Sequence, residues 1–191
     1  MSTIEALTSC RSLRPYRRLL SIFAKYRDRY NVALLAYCLM PNHYHLVLRQ
    51  KEGGSISGFL KTVFNTYTQT INALTGHSGT LFQGQSHGKA VEDDDYLVHL
   101  IRYVHLNPVP AQLVRRPEEW RFSDCREWMG LADATLTDLS VRNEYFEDGK
   151  SYRKFVEAYW EEKDGEIVDR LWPEARNLDK VRMRAPRTLS R

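Results

Sequence analysis

The chain has 191 residues, of which 42% are hydrophobic, and its formal net charge is +4. This composition fits one main domain with a buried core and argues against a disordered or fibrous protein. No apolar run reaches the roughly 18 residues of a membrane span, and the N-terminus lacks a charged region followed by an apolar segment. We therefore expect a cytoplasmic protein that has no membrane partner. Three cysteines without CxxC spacing predict reduced thiols rather than disulfides or a cysteine-built zinc site.

Basic residues are concentrated in two segments of the chain. Seven Lys or Arg residues and one acid lie between residues 11 and 30, and five more basic residues lie beyond Leu178. Such segments fit a polyanionic partner, although a solvated helix face is the commoner explanation of any single charge run. The candidates for contacts with phosphate are Arg14, Arg18, Lys25 and Arg29 on the first helix, then Arg115, Arg116 and the C-terminal arginines.

The first half of the chain predicts a helix, a hairpin and a second helix. Residues 14–30 have apolar side chains on one helical face and basic side chains on the opposite face. "NVALLAYCLM" predicts a buried strand, "PNH" a tight turn and "YHLVLRQ" the returning strand. Apolar residues then recur at helical spacing from Ile56 to Leu74 and predict a long helix that ends at "TGHSG".

The second half predicts a third long helix followed by shorter helical pieces. The Gly-rich segment 80–91 could supply one or two short strands, and "EDDD" provides an acidic first turn for a helix at residues 94–106, which Pro108 ends. Helical pieces are expected around 151–162 and 165–171, and a loose basic tail follows. The order of elements predicts an α+β layered structure with an antiparallel sheet, whereas parallel βαβ winding fits poorly.

Two histidines stand one residue apart where the predicted turn leads into the second predicted strand. Side chains two residues apart on a strand point to the same side, so His43 and His45 would project together while Tyr44 faces away. Neutral imidazole is a common ligand of transition metals, and a strand can present two of them to one ion. The alternative is a pair of histidines that line the sheet surface, and for an HxH pattern alone this is the commoner explanation.

The third predicted helix carries a polar ridge formed by His99, Tyr103 and Asn107. An amide oxygen can serve as a third metal ligand, and a phenol beside a divalent cation can become a nucleophile. Alternatively, Tyr103 packs at the helix edge and Asn107 caps the helix before Pro108. Helical periodicity does not choose between these interpretations. The buried side of this helix is predicted to consist of Leu97, Leu100, Ile101 and Val104.

Two strings of residues carry a resemblance to a known family. "AYCLMPNHYHLVL" and "YLVHLIRYVHLNPV" together closely resemble the single-tyrosine HUH transposases, in particular the REP-associated tyrosine transposase branch. His43, Tyr44 and His45 resemble the HUH metal motif, and Tyr103 with Asn107 resembles the catalytic helix. "LFQGQSHGKAVEDDDYL" and "WRFSDCREWMG" also resemble family segments, so the similarity extends from about residue 30 to about residue 130.

This resemblance implies a fold, an activity and a domain organisation. The implied fold is a ferredoxin-like or RRM-like α+β sheet that presents the histidines, with the tyrosine helix packed nearby. The resemblance implies that Mg²⁺ or Mn²⁺, held by His43, His45 and Asn107, polarises a phosphate of single-stranded DNA. Tyr103 would then attack and form a 5′-phosphotyrosine link beside a DNA hairpin. We expect residues 1–130 to form the catalytic domain and residues 131–191 a helical extension with a basic tail.

The chain departs from the family pattern at its start. Family members generally begin with an additional strand, whereas "MSTIEALTSCRSL" lacks the alternation of a strand, so either this strand is degenerate or the chain begins after it. The exposed edge would then need to be covered or paired, and pairing would permit a homodimer. Two other functions remain open, a catalytically impaired protein that binds DNA hairpins and a metal-dependent hydrolase in which Tyr103 has no role. The joint presence of His43, His45, Tyr103 and Asn107 favours the transposase-like enzyme.

Overall fold

A computed structural model describes residues 14–82, 88–91 and 93–161 of the chain. The N-terminal half of this structure contains helix α1 (Arg14–Arg27), strands β1 (Val32–Leu39) and β2 (Tyr44–Gln50), and helix α2 (Ile56–Thr75). The C-terminal half contains helices α3 (Asp94–Leu106), α4 (Cys125–Trp128), α5 (Ser140–Tyr145) and α6 (Gly149–Glu161), with a short 3₁₀ helix at Pro117–Glu119.

Strands β1 and β2 form the predicted hairpin. They pair antiparallel, with Cys38 opposite His45 and Leu39 opposite Tyr44, and a bulge between Leu34 and Ala36 shifts the register. Within the described ranges the sheet consists of these two strands. The prediction of an α+β fold with an antiparallel sheet is therefore confirmed, and the described residues contribute two strands to this sheet.

Strand β1 is buried along its whole length because helices cover both faces of the hairpin. On one face α1 and α2 supply Phe23, Phe59 and Val63, which pack against Leu34 and Leu39; we call this side the α1/α2 layer. The opposite side, which we call the α3 layer, contains apolar side chains of β1, α3, α4 and α6, namely Ala33, Leu35, Cys38, Leu97, Ile101, Val104, Trp128, Tyr152 and Val156. The sheet therefore separates two apolar clusters.

The edge of β1 that faces away from β2 is covered by irregular chain between residues 120 and 138. The indole N–H groups of Trp120 and Trp128 donate to the carbonyl oxygens of Leu39 (3.0 Å) and Leu35 (2.9 Å). The backbone N–H of Leu39 donates to the carbonyl of Phe122 at 2.8 Å. These bonds satisfy backbone groups that an uncovered edge would expose. The expected cover is present at this edge without a regular third strand.

The ends of α2 and α3 follow their sequence signals. The Ser55 hydroxyl accepts a bond from the N–H of Gly58 (3.0 Å), and α2 ends at Gly76, whose φ of 65° suits glycine. The Asp93 carboxylate accepts from the N–H of Tyr96 (2.9 Å), and α3 covers the predicted residues 94–106. Helix α1 ends at Arg27, three residues before the predicted end, and the chain reverses through Asn31, which adopts a φ of 48°.

The other predicted strands and helices and the predicted domain boundary are in part wrong, in part confirmed and in part outside the described residues. The expected short strands in 80–91 are wrong for residues 80–82 and 88–91, because Leu81 and Phe82 pack into the α1/α2 layer instead of pairing. Residues 83–87, residues 1–13, the expected helix at 165–171 and the basic tail lie outside the described residues. The helical piece expected around 151–162 is confirmed by α6, and the domain boundary at residue 130 stays a prediction.

Two described cysteines lie in the core. Cys38 and Cys125 are free and buried, and burial raises the pKa of each thiol well above its usual range. Cys10 lies outside the described residues. No described helix combines the length and apolarity needed to cross a bilayer.

Candidate active site

The hairpin directs the two histidines toward α3. His45 lies opposite Cys38, and Cys38 belongs to the α3 layer, so the imidazole of His45 points to that side of the sheet. His43 lies in the turn before β2, and its Nε2 atom is 3.0 Å from Nε2 of His45. The two rings are nearly perpendicular, with centroids 4.8 Å apart. The common orientation predicted for the pair is therefore present.

Tyr44, the residue between them, faces the opposite layer. Its ring stacks on Phe64 with centroids 4.6 Å apart and lies 6.0 Å from the ring of Phe82. These contacts place the Tyr44 side chain in the α1/α2 layer. The alternation of the strand thus separates a packing residue from the two polar rings on either side of it.

Close contacts surround both histidine rings. The side-chain oxygen of Asn42 lies 2.7 Å from Nδ1 of His43 and accepts its proton. Burial, and after it the neighbouring His43, lowers the pKa of His45 to about 3. At neutral pH His45 is therefore uncharged. An imidazole that donates from one nitrogen to an oxygen and presents a lone pair on the other is typical of metal-binding histidines.

Helix α3 brings Tyr103 to the histidine pair. Its predicted apolar side is confirmed, because Leu97, Leu100, Ile101 and Val104 are buried. Tyr103 lies half-buried at the margin of this side, and its ring meets that of His45 at an interplanar angle of 82° with centroids 5.9 Å apart. The two motifs, distant in sequence, therefore meet in the fold.

Asn107 lies directly beyond the last residue of α3 and caps the helix. Its backbone N–H and its side-chain amide both donate to the carbonyl of Tyr103, at 3.2 Å and 2.8 Å. The capping role considered from the sequence is thus present. Because the amide nitrogen makes this bond, the amide oxygen points the other way, so capping does not prevent this oxygen from binding a metal.

The donor atoms of the histidine pair fit a divalent cation. Two ligands at adjacent corners of an octahedron with bonds of about 2.1 Å lie about 3 Å apart, which matches the 3.0 Å between the Nε2 atoms. No group of three or more His, Cys, Asp or Glu residues within the described ranges could hold a metal. Nitrogen ligands favour Mn²⁺ over the harder Mg²⁺.

The third member of the predicted ridge, His99, lies apart from this site. Its ring is 5.3 Å from that of Phe155 on α6, and its Nδ1 atom is 2.9 Å from a guanidinium nitrogen of Arg102. Arg102 also lies over the ring of Phe155, at 4.2 Å from its centroid. The ridge is therefore divided, since His99 helps to join α3 to α6 while Tyr103 meets His45 of the hairpin.

The basic candidates fall into two groups. Arg14, Arg18, Lys25 and Arg29 are exposed along and just beyond α1, as the helical pattern predicts. Arg115 and Arg116 are exposed beyond α3, but the guanidinium of Arg116 pairs with Glu119 at 3.1 Å and Glu118 at 3.5 Å. These carboxylates offset the charge of Arg116. The C-terminal arginines lie outside the described residues.

The sequence interpretation overlooked a buried polar cluster next to the site. His105, two residues after Tyr103, bonds to Asp124 and Tyr152, and all three side chains are completely buried. A signal was present, because His105 lies four residues after Ile101 and therefore continues the apolar side of α3. A titratable side chain at such a position needs buried partners.

Comparisons with known proteins identify a family and a shared fold. The family model described as "Transposase IS200 like" matches residues 12–107. Among solved structures, one described as a REP-associated tyrosine transposase bound to a REP hairpin aligns with a TM-score of 0.56 at 20% identity, covering 70% of this chain and 84% of that one. At this identity the likeness establishes the fold. The comparison with curated proteins gave no match.

Proposed function

Because the chain belongs to the IS200-like transposase family, we propose that it cleaves and rejoins single-stranded DNA next to hairpin or palindromic repeats. The contact between the rings of His45 and Tyr103 carries this proposal. It brings a candidate nucleophile to a pair of candidate metal ligands. Histidines that only lined the sheet surface would not require a tyrosine beside them. The solved relative that shares the fold is described as bound to a DNA hairpin, which supports the choice of substrate.

The proposed reaction is a transesterification at phosphorus. The phenol oxygen of Tyr103 attacks the scissile phosphate, the new O–P bond forms, and the bond between phosphorus and the 3′ oxygen breaks. The phenol loses its proton, and the departing 3′ oxygen gains one and becomes a hydroxyl. The 5′-phosphotyrosine link retains the energy of the phosphodiester, so a 3′-hydroxyl of another strand can reverse the step without ATP.

The residues around Tyr103 have separate roles in this scheme. His43, His45 and Asn107 would hold Mg²⁺ or Mn²⁺, which when bound supplies Lewis acidity at the phosphate. Asn42 fixes the ring of His43 through the 2.7 Å bond to Nδ1, so that Nε2 presents its lone pair. Asn107 also fixes the last turn of α3 through its two bonds to the carbonyl of Tyr103.

The exposed basic residues of α1 would bind the phosphates of the hairpin. Arg14 and Arg18 lie one turn apart on α1 and are exposed. Lysine and arginine contacts with phosphates provide affinity without reading the base sequence. We assign this sequence-independent part of binding to Arg14, Arg18, Lys25 and Arg29, with Arg115 as a further candidate.

A covalent-adduct assay tests the proposed function. The protein is incubated with Mn²⁺ and an end-labelled DNA hairpin that carries a single-stranded flank, and the products are separated under denaturing conditions. We expect a labelled protein–DNA adduct that disappears in Tyr103→Phe, while hairpin affinity is retained. Tyr96→Phe is the matched control, because Tyr96 is a half-buried tyrosine on the same helix, and it should still form the adduct.

The same assay separates the other candidate functions. Cleaved product without an adduct, equal in the native protein and Tyr103→Phe, would support a metal-dependent hydrolase and contradict the proposal. Hairpin binding without cleavage or adduct would support a catalytically impaired DNA-binding protein. The N-terminal segment "MSTIEALTSCRSL" favours this last candidate, because it lacks the alternation of the strand with which family members generally begin.

A further inference from the structure

A buried network of hydrogen bonds connects α3 with the hairpin and with α6. Nε2 of His105 lies 2.9 Å from Oδ1 of Asp124, and Nδ1 of His105 lies 2.6 Å from the hydroxyl of Tyr152. All three side chains are inaccessible to solvent. We call these residues, together with Thr137, the His105 network. Its members come from α3, from the loop before α4, from the loop after α4 and from α6.

Asp124 attaches this network to the backbone of β1. Its Oδ1 atom accepts the backbone N–H of Tyr37 at 2.8 Å, and its Oδ2 atom accepts the hydroxyl of Thr137 at 2.9 Å. The backbone N–H of Asp124 donates in turn to the carbonyl of Tyr37 at 3.3 Å. Tyr37 precedes Cys38, the residue that pairs with His45. A short path of bonds therefore runs from α3 to the strand that pairs with the histidine-bearing strand.

The orientation of the His105 ring is fixed on every side. A carboxylate only accepts, so Nε2 of His105 donates to Asp124, and Nδ1 is held by its bond of 2.6 Å with the hydroxyl of Tyr152. Burial raises the pKa of Tyr152 well above its ordinary value, so Tyr152 keeps the proton that this bond needs. The ring of Trp128 lies 5.7 Å from that of His105, and its indole N–H donates to Leu35 of β1.

An apolar residue at position 105 could continue the buried side of α3 without this network. Burying polar side chains is unfavourable unless each donor and acceptor is paired, so the network adds specificity more readily than stability. Position 105 lies between Tyr103 and Asn107, within the turn that carries both. Successive residues of an α-helix are related by a rotation of about 100° about the helix axis and a rise of about 1.5 Å along it. Bonds that hold His105 in place therefore also fix the direction and height of Tyr103, two residues earlier on the same helix.

We propose that His105 is a positioning residue, which, through Asp124, fixes the rotation and height of the last turn of α3 against the hairpin and so holds Tyr103 beside His45. The catalytic part of this inference rests on the proposed function, since it assumes that Tyr103 is the nucleophile. The geometric part does not, because the contact between the rings of His45 and Tyr103 can be observed without a reaction. A displacement of about 1 Å at a nucleophile can slow a reaction about 100-fold.

Two substitutions at position 105 each keep one hydrogen bond of the His105 network and remove the other. In His105→Gln the longer amide can still donate to Asp124, whereas the bond to Tyr152 is lost. In His105→Asn the shorter side chain can meet Tyr152 but does not reach Asp124. Val141→Ala is the matched control, because Val141 is completely buried in the same apolar cluster and takes no part in the network. All variants are compared at a temperature where circular dichroism shows each one to be folded.

The rate of adduct formation at saturating hairpin DNA and Mn²⁺ is the first measurement. We expect His105→Asn to be at least 10-fold slower than the native protein, and His105→Gln to stay within about 3-fold of it, because the link to β1 is what matters. Val141→Ala should stay within about 2-fold, and hairpin Kd should be unchanged in all three variants. Equal rates in His105→Asn and Val141→Ala, or equal slowing in both His105 variants, would overturn the inference.

A second measurement keeps the inference testable if the native protein forms no adduct. In protein with ¹³C-labelled histidine and tyrosine rings, the native structure should give a nuclear Overhauser effect between His45 and Tyr103, assigned by its loss in Tyr103→Phe. We expect the effect to vanish in His105→Asn and to persist in His105→Gln and Val141→Ala. Its persistence in His105→Asn would refute the positioning role, whereas a missing adduct with the expected pattern would refute only the proposed function.

Discussion

Tyr44 and His45 are neighbours in sequence whose side chains enter opposite layers of the fold. The ring of Tyr44 stacks on Phe64, at 4.6 Å, and the ring of His45 meets Tyr103, at 5.9 Å. Because β2 alternates its side chains, a single strand both anchors the hairpin to the α1/α2 layer and presents an imidazole to α3. The bulky residue between the histidines therefore belongs to the packing of the hairpin, and the histidines on either side of it belong to the site.

This division predicts that Tyr44 contributes to stability and not to chemistry. Tyr44→Phe keeps the ring that stacks on Phe64, so we expect adduct formation within about 2-fold of the native rate. Tyr44→Ala removes a half-buried ring and should lower the free energy of unfolding by about 2 kcal/mol, less than the loss of a fully buried aromatic side chain. Urea denaturation and the adduct assay measure the two effects. A loss of adduct in Tyr44→Phe, with stability unchanged, would assign a catalytic role to the hydroxyl.

Local patterns in the sequence could predict the hairpin and α3. The alternation around His43 and His45 and the punctuation by Pro41 identify the strands, and Asp93 and Pro108 mark the ends of the third helix. The meeting of His45 with Tyr103 did not follow from these patterns. It required the family resemblance, because periodicity specifies which residues share a face and not which faces meet.

Contacts that depend on irregular chain could not be predicted. His105 bonds to partners 19 and 47 residues away, and the residues that cover the edge of β1 lie in loops and short helices. The burial of Arg102 could not be predicted either. The residue is 3% exposed, because Phe155 and Tyr159 of α6 pack against its guanidinium at 4.2 Å and 5.0 Å. A charged residue on a helix is ordinarily exposed to solvent, so the sequence of α3 gives no sign that Arg102 is buried.

Asn42 should control metal affinity through His43. Its side-chain oxygen accepts the Nδ1 proton of His43 at 2.7 Å, and loss of such an outer partner typically lowers metal affinity 10–100-fold. We expect Asn42→Ala to weaken Mn²⁺ binding by about 10-fold or more, measured by titration calorimetry or electron paramagnetic resonance. Asn42→Asp retains the acceptor and should bind at least as tightly as the native protein. Equal weakening in both variants would show that the turn, and not the acceptor, matters.

The lowered pKa of His45 predicts a pH dependence of stability in the metal-free protein. The folded protein has a pKa of about 3 for His45, and the unfolded chain an ordinary value of about 6.5, so between these values only the unfolded state binds the proton. The contribution of neutral His45 is therefore complete above about pH 6.5 and is lost as the pH falls toward 3. Replacement by glutamine removes this titration.

Chemical denaturation of the native protein and His45→Gln at several pH values, with a chelator present, measures this contribution. The native protein should lose stability relative to His45→Gln as the pH falls from 7 to 4. The comparison between the two proteins removes the effect of every other titrating group that they share. A stability difference that stays constant over this range would contradict the lowered pKa.

The exposed arginines of α1 should contribute more to DNA binding than Arg116 does. Arg14 and Arg18 are exposed on α1, whereas the guanidinium of Arg116 is held by Glu118 and Glu119. Each phosphate contact that is lost reduces the slope of log affinity against log salt by about 0.9. We therefore expect Arg14→Gln with Arg18→Gln to reduce the slope by about 1.8, and Arg116→Gln to reduce it much less. Fluorescence anisotropy with a labelled hairpin at several salt concentrations measures both slopes, and equal reductions per arginine would show that the carboxylates around Arg116 do not limit its contact with DNA.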